Sequence, residues 1–261
     1  MTKPPIYLER SGATGTIVLN RPERRNALGL AMWTALTDLL NEAEADDEIR
    51  VVVVRGVDDS AFAAGADIKE FESVHANPRT SRGYSAKVHE ATERIARFPK
   101  PMIAMIQGAC VGGGCAIALG CDIRIADPTS RFAIPPAKLG LVYSLLDTKL
   151  LVDAVGPSKA KDMLYTGRLI KADEALAIGL IDRIVEPARI ESETQELCEV
   201  ICAGSQFSHR ATKKIVRMIL DGATEDTDET LKLFDQAFQG EDYREGTSAF
   251  LEKRKPKFTW S

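Results

Sequence analysis

The chain has 261 residues, with 34 Lys and Arg against 38 Asp and Glu, a net charge of −4, and 44% hydrophobic and 28% charged residues. This is the composition of a soluble globular protein, long enough to bury a sizeable core. The mildly acidic balance gives no electrostatic basis for nucleic-acid binding. No apolar run approaches the ~18 residues of a membrane span, and the first residues lead into structure without a signal-peptide core.

In chain order, apolar runs at 6–10 and 15–19 predict two strands, 29–45 a helix, 51–55 a strand and 81–98 a helix. A strand at 102–107, a helix at 113–120 and strands at 123–126 and 181–185 follow. This alternation makes the fold α/β with largely parallel sheet units. Periodicity alone does not separate a stacked spiral from a doubly wound sheet. After Glu186-Pro187 the pattern becomes helical, over 188–204, 208–222, 226–239 and 242–253. The chain therefore divides into an α/β core at 1–186 and a helical lobe at 187–261. A lobe of that size is expected to pack on its own core or on a neighbouring subunit.

The five cysteines, Cys110, Cys115, Cys121, Cys198 and Cys202, are odd in number and lie mostly in apolar stretches. They read as buried reduced thiols of a cytoplasmic protein rather than a disulfide framework or a zinc site. Three histidines without H-E-x-x-H spacing give no basis for a metal centre.

Two backbone-rich loops carry the chemistry. Phe62-Ala63-Ala64-Gly65-Ala66-Asp67-Ile68-Lys69 follows one predicted strand, and Gly108-Ala109-Cys110-Val111-Gly112-Gly113-Gly114-Cys115 follows another. Each opens towards a helix, whose first N–H groups are unpaired and carry partial positive charge. Two such starts converging on one point would hold an oxyanion without a charged side chain. Small residues let backbone approach a ligand closely. The second loop lacks the Lys-Ser/Thr ending of a P-loop and the spacing of a dinucleotide fingerprint.

These segments resemble the crotonase superfamily of enoyl-CoA hydratases and isomerases. The resemblance extends through Pro101 to Ile106, Cys121-Asp122-Ile123-Arg124-Ile125-Ala126, Gly179-Leu180-Ile181-Asp182 and the stretch from Gly246 to Lys255, covering nearly the whole chain. It implies a core spiral of β-β-α turns with a C-terminal helical lobe, assembled as a homo-oligomer, trimer or hexamer. It also implies an acyl-CoA thioester as substrate, with coenzyme A part of the substrate and no separate cofactor. The oxyanion donors it implies are the N–H groups of Ala66 and Gly113. The Ala64, Asp67, Ile68 and Lys69 stretch would read coenzyme A through its backbone, beside the loop holding Arg24, Arg25 and Ala27. Arg24 and Arg25 are phosphate partners or an exposed charged turn.

The departures from the family pattern are informative. Hydratases of the family place one Glu where this chain has Ala116 and a second where it has Pro136. Hydration needs groups to activate water and to handle the α-proton, which neither residue can do. The isomerase position a few residues after Leu139-Gly140 holds Leu141-Val142-Tyr143-Ser144, again without an acid. The run from Phe132 to Tyr143 is similar to malonyl-type decarboxylases of the superfamily. That chemistry generates its own enolate and needs an oxyanion hole, an apolar pocket and a proton donor. Tyr143 would then orient the leaving carboxylate or donate the proton; otherwise it is a half-buried tyrosine. Asp147 is expected to cap a helix start, and Glu70, Glu72, His75, His89 and Glu90 are the other available acid–base groups. A silent CoA-ester-binding subunit is the reading outside catalysis.

Overall fold

Strand β1 (Ile6–Ser11) turns back at Gly12 to pair antiparallel with β2 (Thr14–Leu19), and β2 pairs parallel with β3 (Val51–Gly56) across helix α1 (Leu30–Ala45). The computed structural model that shows this describes residues 3–259. From β3 onward one unit repeats. β3 continues around a corner into β4 (Ala61–Ala63), then α2 (Phe71–Val74) and α3 (Pro78–Ala96). β5 (Met102–Ile106) continues into β6 (Ala109–Val111) and α4 (Gly113–Gly120). β7 (Ile123–Ala126) continues into β8 (Arg131–Ala133), α5 (Pro136–Leu139) and α6 (Leu145–Thr166). The result is the β-β-α spiral of the crotonase fold. The long strands form a sheet ordered β1-β2-β3-β5-β7-β10, closed by β10 (Arg183–Ile184). The short strands stack into a second sheet, β4-β6-β8-β9, ended by β9 (Ile170–Lys171), with α7 (Ala172–Ala177) leading back to the first.

The sequence of β3 shows why it lies inside. Val52 and Val54 join the main core with Trp33, Leu36, Phe62 and Phe98, while Val51 and Val53 join a second cluster. A run of β-branched residues buried on both faces is what a central parallel strand requires. The second cluster is completed by Ile190 and Cys198 of α8 (Ile190–Ala203). The first helix beyond residue 187 thus covers the outer face of the large sheet. Helices α9 (Gln206–Leu220), α10 (Asp228–Gln239) and α11 (Glu241–Leu251) follow, leaving Val216, Ile219, Leu231, Phe234, Phe238 and Phe250 exposed. No helix among the described residues is long and apolar enough to cross a membrane.

Several expected boundaries move. The helix expected over 81–98 begins at Pro78, because Asn77 caps it: its side chain accepts from Arg79 N (3.0 Å) and Thr80 N (3.1 Å), in a capping box with Thr80. The strand expected over 181–185 contracts to Arg183–Ile184, where pairing to Ile125 and Ala126 exists. Ser144, not Asp147, is the N-cap of α6. Ser144 Oγ accepts from Asp147 N (3.0 Å) and donates to Asp147 Oδ2 (2.7 Å).

Candidate active site

The Gly112-Gly113-Gly114 turn is tight for a different reason at each position. Gly112 adopts φ 53°, ψ −112°, a conformation open mainly to glycine, and its N–H donates to Ala133 O (2.8 Å). A Cβ on Gly113 would lie 2.9 Å from Trp33 Cζ2 and 3.3 Å from Leu28 Cδ1. One on Gly114 would lie 2.4 Å from Ala63 O, so bare backbone seats α4 on β4.

The second loop meets the first at Gly65, which has φ 102°. A Cβ there would sit 3.2 Å from Val111 O, and one on Gly112 would sit 3.7 Å from Gly65 Cα. The residues following these touching glycines are Ala66 and Gly113. Among the described residues neither N–H has an acceptor, although the backbone on either side of Ala66 is engaged: Asp67 N donates to Leu28 O (3.0 Å), and Gly65 O accepts from Leu28 N (2.8 Å). Gly113 opens a buried helix, so its N–H carries the positive end of the α4 dipole. The structure brings together the two predicted donors as unsatisfied N–H groups on adjoining loops, an arrangement able to bind an oxyanion.

The arginine loop is locked to this turn. Ala64 N donates to Arg25 O (2.9 Å), and Leu28 pairs with Ala66 as a parallel bridge. Buried Asn26 donates to Ala61 O (2.7 Å) and accepts from Arg21 N (2.8 Å). Arg21 reaches across, Nη1 to Ala27 O (2.9 Å) and Nη2 to Asp67 Oδ2 (3.0 Å). Asp67 also accepts from Lys69 N (3.2 Å) and lies 3.8 Å from Arg24. Burial raises the Asp67 pKa, but Arg21, the Lys69 N–H and Arg24 outweigh it and hold the carboxyl below its ordinary value. The Asp67 side chain is thus occupied in bracing the loop. Arg25, Ile68 and Lys69 are exposed beside it, and Ala27 and Ala64 are partly buried. Arg21 and Asn26 were missed by the sequence reading. Their signal was faint: a polar pair bracketing a turn.

Tyr143 lies at the edge of the same site, its hydroxyl 3.4 Å from where a Gly112 Cβ would be. The hydroxyl makes no protein hydrogen bond among the described residues. Burial, with Cys115, Asp147 and Cys110 nearby, pushes its pKa well above the ordinary tyrosine value, so the phenol stays neutral. Asp147 keeps one carboxylate oxygen, Oδ1, buried without a hydrogen-bond partner. Ala116 and Pro136 are buried and offer no polar group.

Of the other acid–base candidates, Glu72 is exposed on α2 and the remaining four have partners away from the glycine loops. Glu70 Oε2 accepts from Leu30 N (2.8 Å) at the start of α1. His75 bonds Ser81 Oγ at 3.0 Å, edge-on to Phe71 and Tyr84. His89 is exposed beside Glu93, and Glu90 pairs with Lys87 at 2.7 Å. No group of three or more metal-ligating side chains occurs among the described residues.

Comparison with known proteins places the chain in a family. The enoyl-CoA hydratase/isomerase family model matches residues 9–260. The short-chain-enoyl-CoA hydratase of Clostridium acetobutylicum is 33% identical over 254 residues, covering 96% of this chain and 95% of the relative. The crotonyl-CoA hydratase of Syntrophomonas wolfei is 32% identical over 257 residues, 97% of each chain. The crystal structure of an enoyl-CoA hydratase/isomerase family protein from Hyphomonas neptunium superposes with a TM-score of 0.96 at 44% identity, covering 99% of this chain and 98% of that one. The chain belongs to the enoyl-CoA hydratase/isomerase family of the crotonase superfamily.

Proposed function

We propose that the protein binds an acyl-CoA thioester and stabilises its enolate between the N–H groups of Ala66 and Gly113. The observation that carries this reading is the pair of unpartnered N–H groups on the contacting Gly65 and Gly112 loops. Removing one such donor in other oxyanion holes costs roughly 10²–10³ in kcat. Coenzyme A enters as part of the substrate, its phosphates near Arg24 and Arg25 and its pantetheine along residues 64–69. A homo-oligomer, trimer or hexamer, is supported by the apolar residues exposed on α9, α10 and α11.

Tyr143 favours one reaction within the family. Two-carboxylate hydration has no acid at Ala116 or Pro136. Decarboxylation of a malonyl-type thioester needs none. The bond from the α-carbon to the carboxylate breaks, carbon dioxide leaves, and the electron pair passes into the thioester enolate held by the two N–H groups. Water then protonates the α-carbon, and the hydroxide formed takes up the carbon dioxide as bicarbonate. The neutral Tyr143 hydroxyl, beside Gly112, would donate a hydrogen bond to the departing carboxylate.

The test is mass spectrometry of the protein incubated with short-chain enoyl-CoA and malonyl-type CoA esters. Loss of carbon dioxide from a malonyl-type ester is expected. Gain of water by an enoyl ester would sink the decarboxylase reading but keep the enolate site. Tight binding without turnover of any ester would make the chain a silent CoA-ester-binding subunit.

A further inference from the structure

Beyond the acyl-CoA site, at the other end of β5, a cleft of about 560 Å³ opens between the α3–β5 connection and helices α9 and α10. Residues 97–99 in its wall precede β5, whereas the Gly112 turn lies beyond the far end of that strand, so the two sites are separate. The size falls within the ~300–1,000 Å³ typical of small-molecule sites. Phe207, Met218 and Leu233 give it an apolar side, and five cations line it.

Three of those cations are already paired. Arg97 faces Asp221 at 3.6 Å and Glu93 at 3.4 Å. Lys213 holds Asp122 at 2.8 Å, and Lys214 pairs with Glu229. Arg210 and Arg217 differ: among the described residues neither guanidinium has a carboxylate or a side-chain hydrogen bond, and Arg210 Nε is buried without a partner. Behind Arg210 lies the buried ammonium of Lys100, anchored on Ala43 O (2.9 Å) and Asp46 O (2.7 Å). Burial and then the Arg210 charge hold Lys100 below its ordinary pKa, against the opposing pull of Asp47 and Asp46. Partly buried guanidinium without a counter-charge is costly, and an anion relieves it.

We infer that this cleft binds a small organic anion, its acidic group between Arg210 and Arg217 and its apolar body against Phe207, Met218 and Leu233. A guanidinium pair suits the planar oxygens of a phosphate or carboxylate. Neither residue contacts the glycine loops, so acyl-CoA turnover is expected to survive their loss.

The test is titration calorimetry of the full chain at low salt with phenyl phosphate, and with inorganic phosphate and phenol as its two halves. Phenyl phosphate is expected to bind at least about tenfold more tightly than either half, and about tenfold more weakly to the Arg210→Gln, Arg217→Gln double variant. If the double variant fails to fold, Arg217→Gln alone is expected to weaken binding in the same direction. Arg24→Gln is expected to leave it unchanged. Equal affinity in the arginine variants, no advantage of phenyl phosphate over its halves, or loss of binding in Arg24→Gln would overturn the proposal. None of these outcomes bears on the oxyanion site.

Discussion

Arg21 Nη2 and Asp67 Oδ2 lie 3.0 Å apart, the only side-chain ion pair below 3.5 Å joining the arginine loop to the glycine loop among the described residues. Both side chains are largely shielded, at 19% and 7% exposure. Replacing Arg21 leaves a buried carboxylate without its main counter-charge, which costs about 3 kcal/mol. Arg21→Gln is therefore expected to lower the unfolding free energy by that amount, read as a lower denaturant midpoint at constant slope, and Asp67→Asn by less, since an amide still accepts hydrogen bonds. An unchanged midpoint in Arg21→Gln would show the bracing to be dispensable.

The same pair sets a pH dependence. Asp67 has a folded-state pKa below its ordinary value. Its contribution is therefore complete above about pH 4 and lost as pH falls through the depressed value. The stability difference between the wild type and Asp67→Asn is expected to be constant from neutral pH to about 5 and to shrink below about 4. A difference that persists unchanged at pH 2 would mean that the carboxylate charge is not what braces the loop.

At the proposed oxyanion turn, substitution separates the donor from the shape. Gly113→Pro deletes the N–H and is expected to cut turnover by about 10²–10³-fold. Gly113→Ala keeps the N–H but sets a Cβ 2.9 Å from Trp33 Cζ2, so the turn must shift. Its loss is expected to be smaller and to be partly recovered by Trp33→Leu, which removes the obstructing ring. Saturation kinetics on the active ester reads both. If the alanine and proline variants are equally impaired, placement rather than the presence of the donor limits the rate.

Tyr143 yields a prediction about mechanism. Burial pushes its phenol well above the ordinary tyrosine range, so in the proposed reaction it would act as a neutral hydrogen-bond donor. Turnover is expected to show no alkaline loss attributable to Tyr143 up to about pH 10. Tyr143→Phe is expected to lower kcat about tenfold to a hundredfold, the range for a hydrogen bond to a charged group. An alkaline limb near neutral pH that disappears in Tyr143→Phe would contradict the neutral-donor role.

The glycine loops were legible because close backbone approach leaves only small residues, and the chain writes that requirement locally at Gly65 and at Gly112 to Gly114. The long strands were legible through their valines and isoleucines. The three-residue strands β4, β6 and β8 were not, since a period of two needs more residues to register. Asn77-Pro78 with Thr80 was a readable capping signal that places the start of α3. The Arg21–Asp67 pair was invisible because its partners meet only once the spiral closes. Residues 190 and 198 carried an apolar helical face whose target, the outer side of β3, β5 and β7, depends on topology.

The five thiols offer a check on the core beside the site. Cys110, Cys115, Cys121 and Cys198 are buried, Cys202 is half-buried, and all are reduced. Burial raises Cys110 well above its ordinary value, and pushes Cys121 up to about 12 and Cys198 to about 11. The thiolate is the reactive species, so inaccessibility and raised pKa act in the same direction. A disulfide reagent such as dithiobis(nitrobenzoate) at pH 8 is expected to modify Cys202 first and the other four only at the rate of local or global opening. Five thiols should titrate at once in denaturant. Cys110 and Cys115 flank the Gly112-Gly113-Gly114 turn, their sulfurs 3.9 Å apart, with Cys115 Sγ donating to Cys110 O at 2.9 Å. Their labelling, mapped by peptide mass, is therefore a direct reading of how often that turn opens. Prompt labelling of Cys110 or Cys115 in the native protein would mean that the two N–H donors are not held in place before substrate arrives, and that acyl-CoA binding itself orders the site.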